Sequence, residues 1–134
     1  MKILFVCRGN IGRSQMGMEF YNKLHGNGAE SAGTIVEPDK QRLGDRPGAR
    51  VVIEAMRELG IDMRNNISSQ LTESRLKDYD KVIVMAEPET IPQWLRDNHK
   101  SIIWDIEDPK GHEIERVREI RNQIEALVTK LPVN

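Results

Sequence analysis

The chain has 134 residues, enough for one hydrophobic core and short for two. Twenty Lys and Arg against 21 Asp and Glu leave a net charge of -1, which removes the basic excess that nucleic-acid binders and membrane-surface segments rely on. With 38% hydrophobic and 31% charged residues the chain reads as a folded domain, and its single cysteine excludes an internal disulfide framework and suits a reducing cytoplasm.

Ile3 to Cys7 is a continuous apolar run of β-formers, the pattern of a strand buried on both faces of a parallel sheet. The run stops at Arg8, short of the roughly 7–15 apolar residues of a signal peptide. No stretch approaches the roughly 20 residues needed to span a bilayer. One cytoplasmic domain over residues 1–134 is the expectation. After Cys7, Met16, Phe20, Tyr21 and Leu24 recur at helical spacing from about Arg13 until Gly26-Asn27-Gly28 stops them. A short strand is expected at Glu30 to Thr34, and then a long polar loop from Val36 to Pro47.

Val51, Val52, Ala55, Met56 and Leu59 form a second helical stripe ending at Gly60. Lys81 to Ala86 and Ser101 to Ile106 repeat the buried-strand pattern. Between them a shorter helix opens around Pro88 and carries Ile91, Trp94 and Leu95. The last helix, from about His112 to Lys130, is expected to bury Ile114, Val117, Ile120, Ile124, Leu127 and Leu131, with Arg116, Arg118 and Arg121 in water. Strands alternating with helices predict an α/β sandwich built on a parallel sheet. Ligands of such sheets sit beyond the carboxyl ends of the strands. Cys7 and the segment Asp105 to Asp108 are delivered to that edge.

Between the first strand and first helix lies Cys7-Arg8-Gly9-Asn10-Ile11-Gly12-Arg13-Ser14. Gly9 and Gly12 tolerate positive φ, and Asn10 does so too, so the backbone can fold into a concave nest of amides. The helix start near Arg13 aims free N–H groups and a positive dipole end at the same point. Arg13 adds a planar fork for two oxygens of a tetrahedral oxyanion. A cysteine at the rim of such a cradle is expected to react as the thiolate, to which Ser14 can donate. The combination reads as a phosphate-binding loop with a nucleophile in its floor.

This loop resembles the C-x5-R-S loop of the low-molecular-weight protein-tyrosine phosphatases and the related arsenate reductases. Ser31-Ala32-Gly33-Thr34, Gly60-Ile61-Asp62 and Gln70-Leu71-Thr72 are similar to further family segments, and Asp105-Ile106-Glu107-Asp108-Pro109 to the D-x-x-D-P loop before the last helix. The resemblance covers almost the whole chain. It implies a three-layer sandwich with a four-stranded parallel sheet in the order 2-1-3-4. It also implies a cofactor-free, metal-free phosphomonoesterase in which Cys7 attacks phosphorus, Arg13 stabilises the transferring group and Asp108 serves as general acid and base. Asn10, Ser14 and Ser31 would support the loop. Asp105 is the rival acid, and Pro109 beside Asp108 favours the latter.

The chain departs from that pattern in several places. Gly12 stands where many relatives carry a second cysteine, and Asn66 where others have a histidine. Lys110 and Gly111 follow Asp108-Pro109, and the loop from Ile35 to Pro47 has no aromatic residue, so walls for a phenyl ring are missing unless Trp94 or Trp104 supplies one. Ile11 replaces the Thr of arginine phosphatases. Ala86 stands where thioredoxin-coupled reductases need another cysteine, which excludes that mechanism but leaves a single-cysteine arsenate reductase using an external thiol. A non-catalytic phosphate-binding or phosphocarrier module is a third reading, disfavoured by Arg13 and Asp108. His25, His99 and His112 lack metal-ligand spacing. The expected partner is a phosphorylated protein or small phosphomonoester, with neither nucleic acid nor membrane, for a monomer or weak dimer.

Overall fold

The computed structural model describes residues 1–132; the last two positions of the domain expected over 1–134 lie outside the described residues. Eight main elements follow in order: β1 (Ile3–Cys7), α1 (Arg13–His25), β2 (Ala29–Gly33), α2 (Arg50–Arg57), β3 (Lys81–Val84), α3 (Gln93–Arg96), β4 (Ser101–Ile103) and α4 (Ile114–Thr129). The strands form one parallel sheet in the order β2-β1-β3-β4. This is the architecture expected from the resemblance.

β1 is buried throughout because it is central and covered on both faces. Its alternate residues feed two cores, as the period of a strand requires. Ile3, Phe5 and Cys7 join Met16, Phe20, Val52, Met56, Ile120 and Ile124 beneath α1, α2 and α4. Leu4 and Val6 join Leu71, Leu76, Val82, Val84, Ile91 and Leu95 on the opposite side. Three layers result. Gly17 lets α1 lie directly on the sheet: a Cβ there would stand 2.6 Å from Phe5 Cδ1.

Several expectations change. β3 ends at Val84 and β4 at Ile103, although Met85 N–H still donates to Val6 O at 2.7 Å and Trp104 N–H to Val84 O at 2.9 Å. Beyond those bonds the chains diverge, which opens the carboxyl edge of the sheet. Ile102 and Ile103 are exposed rather than buried, because β4 is the edge strand. Leu24 is exposed at the last turn of α1. Pro88 opens a 3-10 turn (Pro88–Thr90), and Pro92 delays the helix itself to Gln93. Arg121 is buried rather than wet: its Nη1 donates to Ala55 O and to Glu58 Oε1, both at 2.8 Å, and so fastens α4 to the end of α2.

Candidate active site

β1 ends at Cys7 and α1 begins at Arg13, so the loop between them sits at the carboxyl edge of the sheet. Asn10, not a glycine, takes the left-handed backbone there, with φ 56°. Gly12 has φ -134°, and Gly9 also lies outside the left-handed region, which corrects the reason expected for both glycines. What Gly12 supplies is close approach: a Cβ on it would lie 3.0 Å from Pro109 Cγ. The loop after β4 therefore packs directly onto the loop after β1.

Asn10 is fully buried and ties the loop together. Its backbone N–H donates to Cys7 Sγ at 3.3 Å. Its Nδ2 donates to Ser14 Oγ at 2.7 Å, and its Oδ1 accepts from Ser69 N–H at 2.9 Å. Ser14 Oγ lies 3.0 Å from Cys7 Sγ. Since that hydroxyl already accepts from Asn10, its own hydrogen is available to the sulfur. Ser31, expected as a supporting side chain, acts through its backbone: its carbonyl accepts from Ser69 Oγ at 3.2 Å. Gln15 belongs to no motif of the sequence, yet it braces the loop. Its Nε2 donates to Asn10 O at 3.0 Å and to Ile67 O at 3.3 Å, while Asn66 Nδ2 donates to Gln15 Oε1 at 3.2 Å.

Arg13 is buried and held at both ends of its fork. Nη1 and Nη2 donate to the two carboxylate oxygens of Glu87 at 2.8 and 3.0 Å, and Nη1 also donates to Ile106 O at 3.0 Å. Asp108 Oδ2 lies 3.8 Å from Nη2. Burial opposes the charge on Arg13, but the Glu87 hydrogen bonds and the nearby Cys7, Glu87 and Asp108 outweigh it and raise its pKa. The same hydrogen bonds hold the Glu87 carboxyl below its ordinary range. Glu87 is a second residue that sequence reasoning missed. The one signal for it is its place just after β3, at the ligand-binding edge.

A cavity of about 270 Å³ opens above the loop. Cys7, Arg8, Gly9, Ile11, Gly12 and Arg13 form one side, Asp108, Pro109 and Lys110 another, and Ile35, Glu37, Arg46, Gly48 and Val52 the remainder. Asp108 lines it; Asp105 is exposed and does not. The lining contains no aromatic residue. Trp104 packs against Phe5 with ring centroids 6.3 Å apart, and Trp94 packs against the opposite core, so neither serves as a wall. Among the described residues no group of three His, Cys, Asp or Glu could hold a metal ion, and no helix is long and apolar enough to cross a membrane.

Comparison with known proteins finds a family and solved structures similar to this chain over nearly its whole length. The sequence model of the family described as low molecular weight phosphotyrosine protein phosphatase matches residues 2–133. The arsenate reductase of Staphylococcus aureus strain N315 is 30% identical over 96% of this chain and 93% of its own. Among solved structures, Vibrio vulnificus Wzb in complex with benzylphosphonate has a TM-score of 0.80 at 30% identity, covering 97% of this chain and 98% of that one. The low molecular weight protein tyrosine phosphatase from T. tengcongensis has a TM-score of 0.78 at 27% identity, covering 97% and 96%.

Proposed function

We propose that this chain, which belongs to the low molecular weight phosphotyrosine protein phosphatase family, hydrolyses phosphomonoesters through a covalent intermediate on Cys7. The observation that carries the reading is the meeting of three groups around one cavity. The Cys7 sulfur receives hydrogen bonds from the loop, a buried guanidinium is clamped by Glu87, and the Asp108 carboxylate lies 3.8 Å from that guanidinium.

Each group has a role set by its surroundings. Cys7 Sγ, as the thiolate, forms a bond to phosphorus while the bond to the ester oxygen breaks; Asp108, protonated, gives its proton to that leaving oxygen. Asp108 then takes a proton from water as the water oxygen attacks phosphorus. The sulfur leaves as thiolate, helped by Ser14 and the Asn10 amide, and inorganic phosphate is released. Arg13 meets the charge that spreads over the equatorial oxygens, and because Glu87 has already oriented it, little reorganisation remains. No step calls for a cofactor, and the substrate is a phosphorylated protein or a small phosphomonoester.

A second reading is favoured by the likeness to the S. aureus arsenate reductase. Arsenate has the shape and charge of phosphate and fits the same loop. Cys7 would form a bond to arsenic with loss of water. One external thiol would then take the sulfur, releasing arsenite and leaving a mixed disulfide. A second thiol would free Cys7, so that two electrons come from two thiols oxidised to one disulfide.

The test is steady-state hydrolysis of phenyl phosphate, run beside arsenate-dependent consumption of glutathione, with wild type and Cys7→Ser. The phosphatase reading expects phosphate release that Cys7→Ser abolishes. No release by folded protein overturns it, and thiol consumption in the second assay then transfers the assignment to arsenate reduction.

A further inference from the structure

Three cations of the cavity take no part in the mechanism, namely Arg8, Arg46 and Lys110. Among the described residues none of them forms an ion pair, as is also true of Arg50, Arg57 and Arg96, and Arg8 acts on Glu87 only at longer range. Arg46 is the most telling. Its Nη1 is shielded from solvent with no hydrogen-bond partner, one of two such side-chain atoms among the described residues. A cationic donor withdrawn from water and left without an acceptor is costly and rare in folded proteins. The Arg46 side chain also borders the cavity above the loop, and an anion on a ligand there offers its guanidinium an acceptor that the protein does not.

The neighbours of Arg46 point the same way. Gly48 has no side chain, and a Cβ there would lie 3.2 Å from Ile11 Cδ1 and 3.8 Å from Lys110 Cε. Arg46, Gly48 and Lys110 all border the same cavity. The charge of Arg13 is already shared with Glu87, and the proposed mechanism asks only the loop and Arg13 to hold the phosphate. Arg46 and Lys110 are therefore in excess of what a simple aryl phosphate requires, while the aromatic walls that would grip its ring are absent. Glu37 is the one further carboxylate in the lining, and it pairs with neither cation.

Resting on the phosphomonoesterase reading, we propose that Arg46 and Lys110, which line the same cavity, form a second anion subsite, and that the substrates are phosphomonoesters carrying a further anionic group near the phosphorylated oxygen. Arg46 would thus set specificity, while the chemistry remains with the loop.

Titration calorimetry on the full chain at low salt tests this with three non-hydrolysable probes: benzylphosphonate, 3-carboxybenzylphosphonate and 3-phosphonobenzylphosphonate. Wild type should bind at least one of the two probes with a second anionic group about tenfold more tightly than benzylphosphonate, the worth of one charge-assisted hydrogen bond. Which of the two gains shows whether the second group is a carboxylate or a phosphate. Arg46→Gln should bring the ratio of charged to plain probe towards one, and Arg46→Lys should keep most of it. Equal binding of all three probes by wild type overturns the proposal. So does an Arg46→Gln ratio equal to that of wild type, including the case in which every affinity falls together. Because binding is read without turnover, failure to hydrolyse phenyl phosphate would sink the phosphatase reading alone.

Discussion

Arg13 and Glu87 stand 74 positions apart and meet in a two-bond clamp, Nη1 to Oε2 at 2.8 Å and Nη2 to Oε1 at 3.0 Å. A flexible guanidinium becomes a fixed one, facing the same cavity as Cys7. Planar pairing of this kind is what arginine offers and lysine does not.

Removing the clamp has a calculable cost. Stripping the partner from a buried charge costs about 3–5 kcal/mol, but the Glu87 side chain is 32% exposed, so screening reduces this to about 1–2 kcal/mol. Glu87→Gln should lower stability by that amount in urea unfolding. It should also reduce kcat/KM on phenyl phosphate about tenfold or more, through an Arg13 no longer aligned. Unchanged kinetics would show that the loop and Ile106 O hold Arg13 unaided.

Asp108 and Asp105 are separable by one experiment. Asp108 lines the cavity beside Arg13, whereas Asp105 is exposed outside it. Asp108→Asn should cut kcat on phenyl phosphate by about 10²–10³, within the range of a positioned acid. The loss should shrink for 2,4-dinitrophenyl phosphate, whose leaving group needs no proton. Asp105→Asn should stay within about twofold of wild type. A deeper loss from Asp105→Asn than from Asp108→Asn reverses the assignment.

Gly33 underpins the phosphate loop from the neighbouring strand. A Cβ there would lie 2.6 Å from Val36 Cγ2, 2.7 Å from Arg8 O and 3.0 Å from Asn10 N. Two of those atoms are loop backbone, which cannot rotate away. Gly33→Ala should cost about 1–3 kcal/mol and weaken competitive inhibition by inorganic phosphate. Gly9→Ala meets only Ile11 Cγ1 at 3.9 Å and should unfold within about 0.5 kcal/mol of wild type.

The seam between α2 and α4 contributes to acid stability. Hydrogen bonds from Arg118 and then Arg121 pull the Glu58 carboxyl down to about 2. A carboxylate made more acidic by folding contributes stability that is fully present above its unfolded value near ~4.3 and is lost as pH falls through its folded value. Wild type should therefore lose stability between about pH 5 and pH 2 more steeply than Glu58→Gln, as read from urea midpoints across that window. Parallel curves for the two proteins would show that the pair is matched by one in the unfolded chain.

The nucleophilic loop is legible in the sequence because its parts are consecutive. Cys7, Asn10, Arg13 and Ser14 lie within eight positions, and a strand ending in a glycine-bearing turn before a helix has few foldings. The parallel sheet is equally legible, since buried strands and amphipathic helices alternate along the chain. Asp108 ranks above Asp105 in the sequence only on the strength of its neighbour Pro109, and it is the packing of Pro109 against Gly12 that places Asp108 at the cavity. Gln15, Ser69 and Arg46 carry no local signal, and Glu87 only its place just after β3. Glu87, Gln15 and Ser69 are ordinary polar residues whose partners lie elsewhere in the chain, and the Arg46 guanidinium forms no ion pair among the described residues. Which atoms form the nucleophilic cradle is thus written in the order of residues alone, because those atoms must be neighbours in one turn of backbone. What orients Arg13, and what else the cavity can bind, emerges only on folding, because both depend on loops after β3 and β2 that meet the first loop solely at the edge of the sheet.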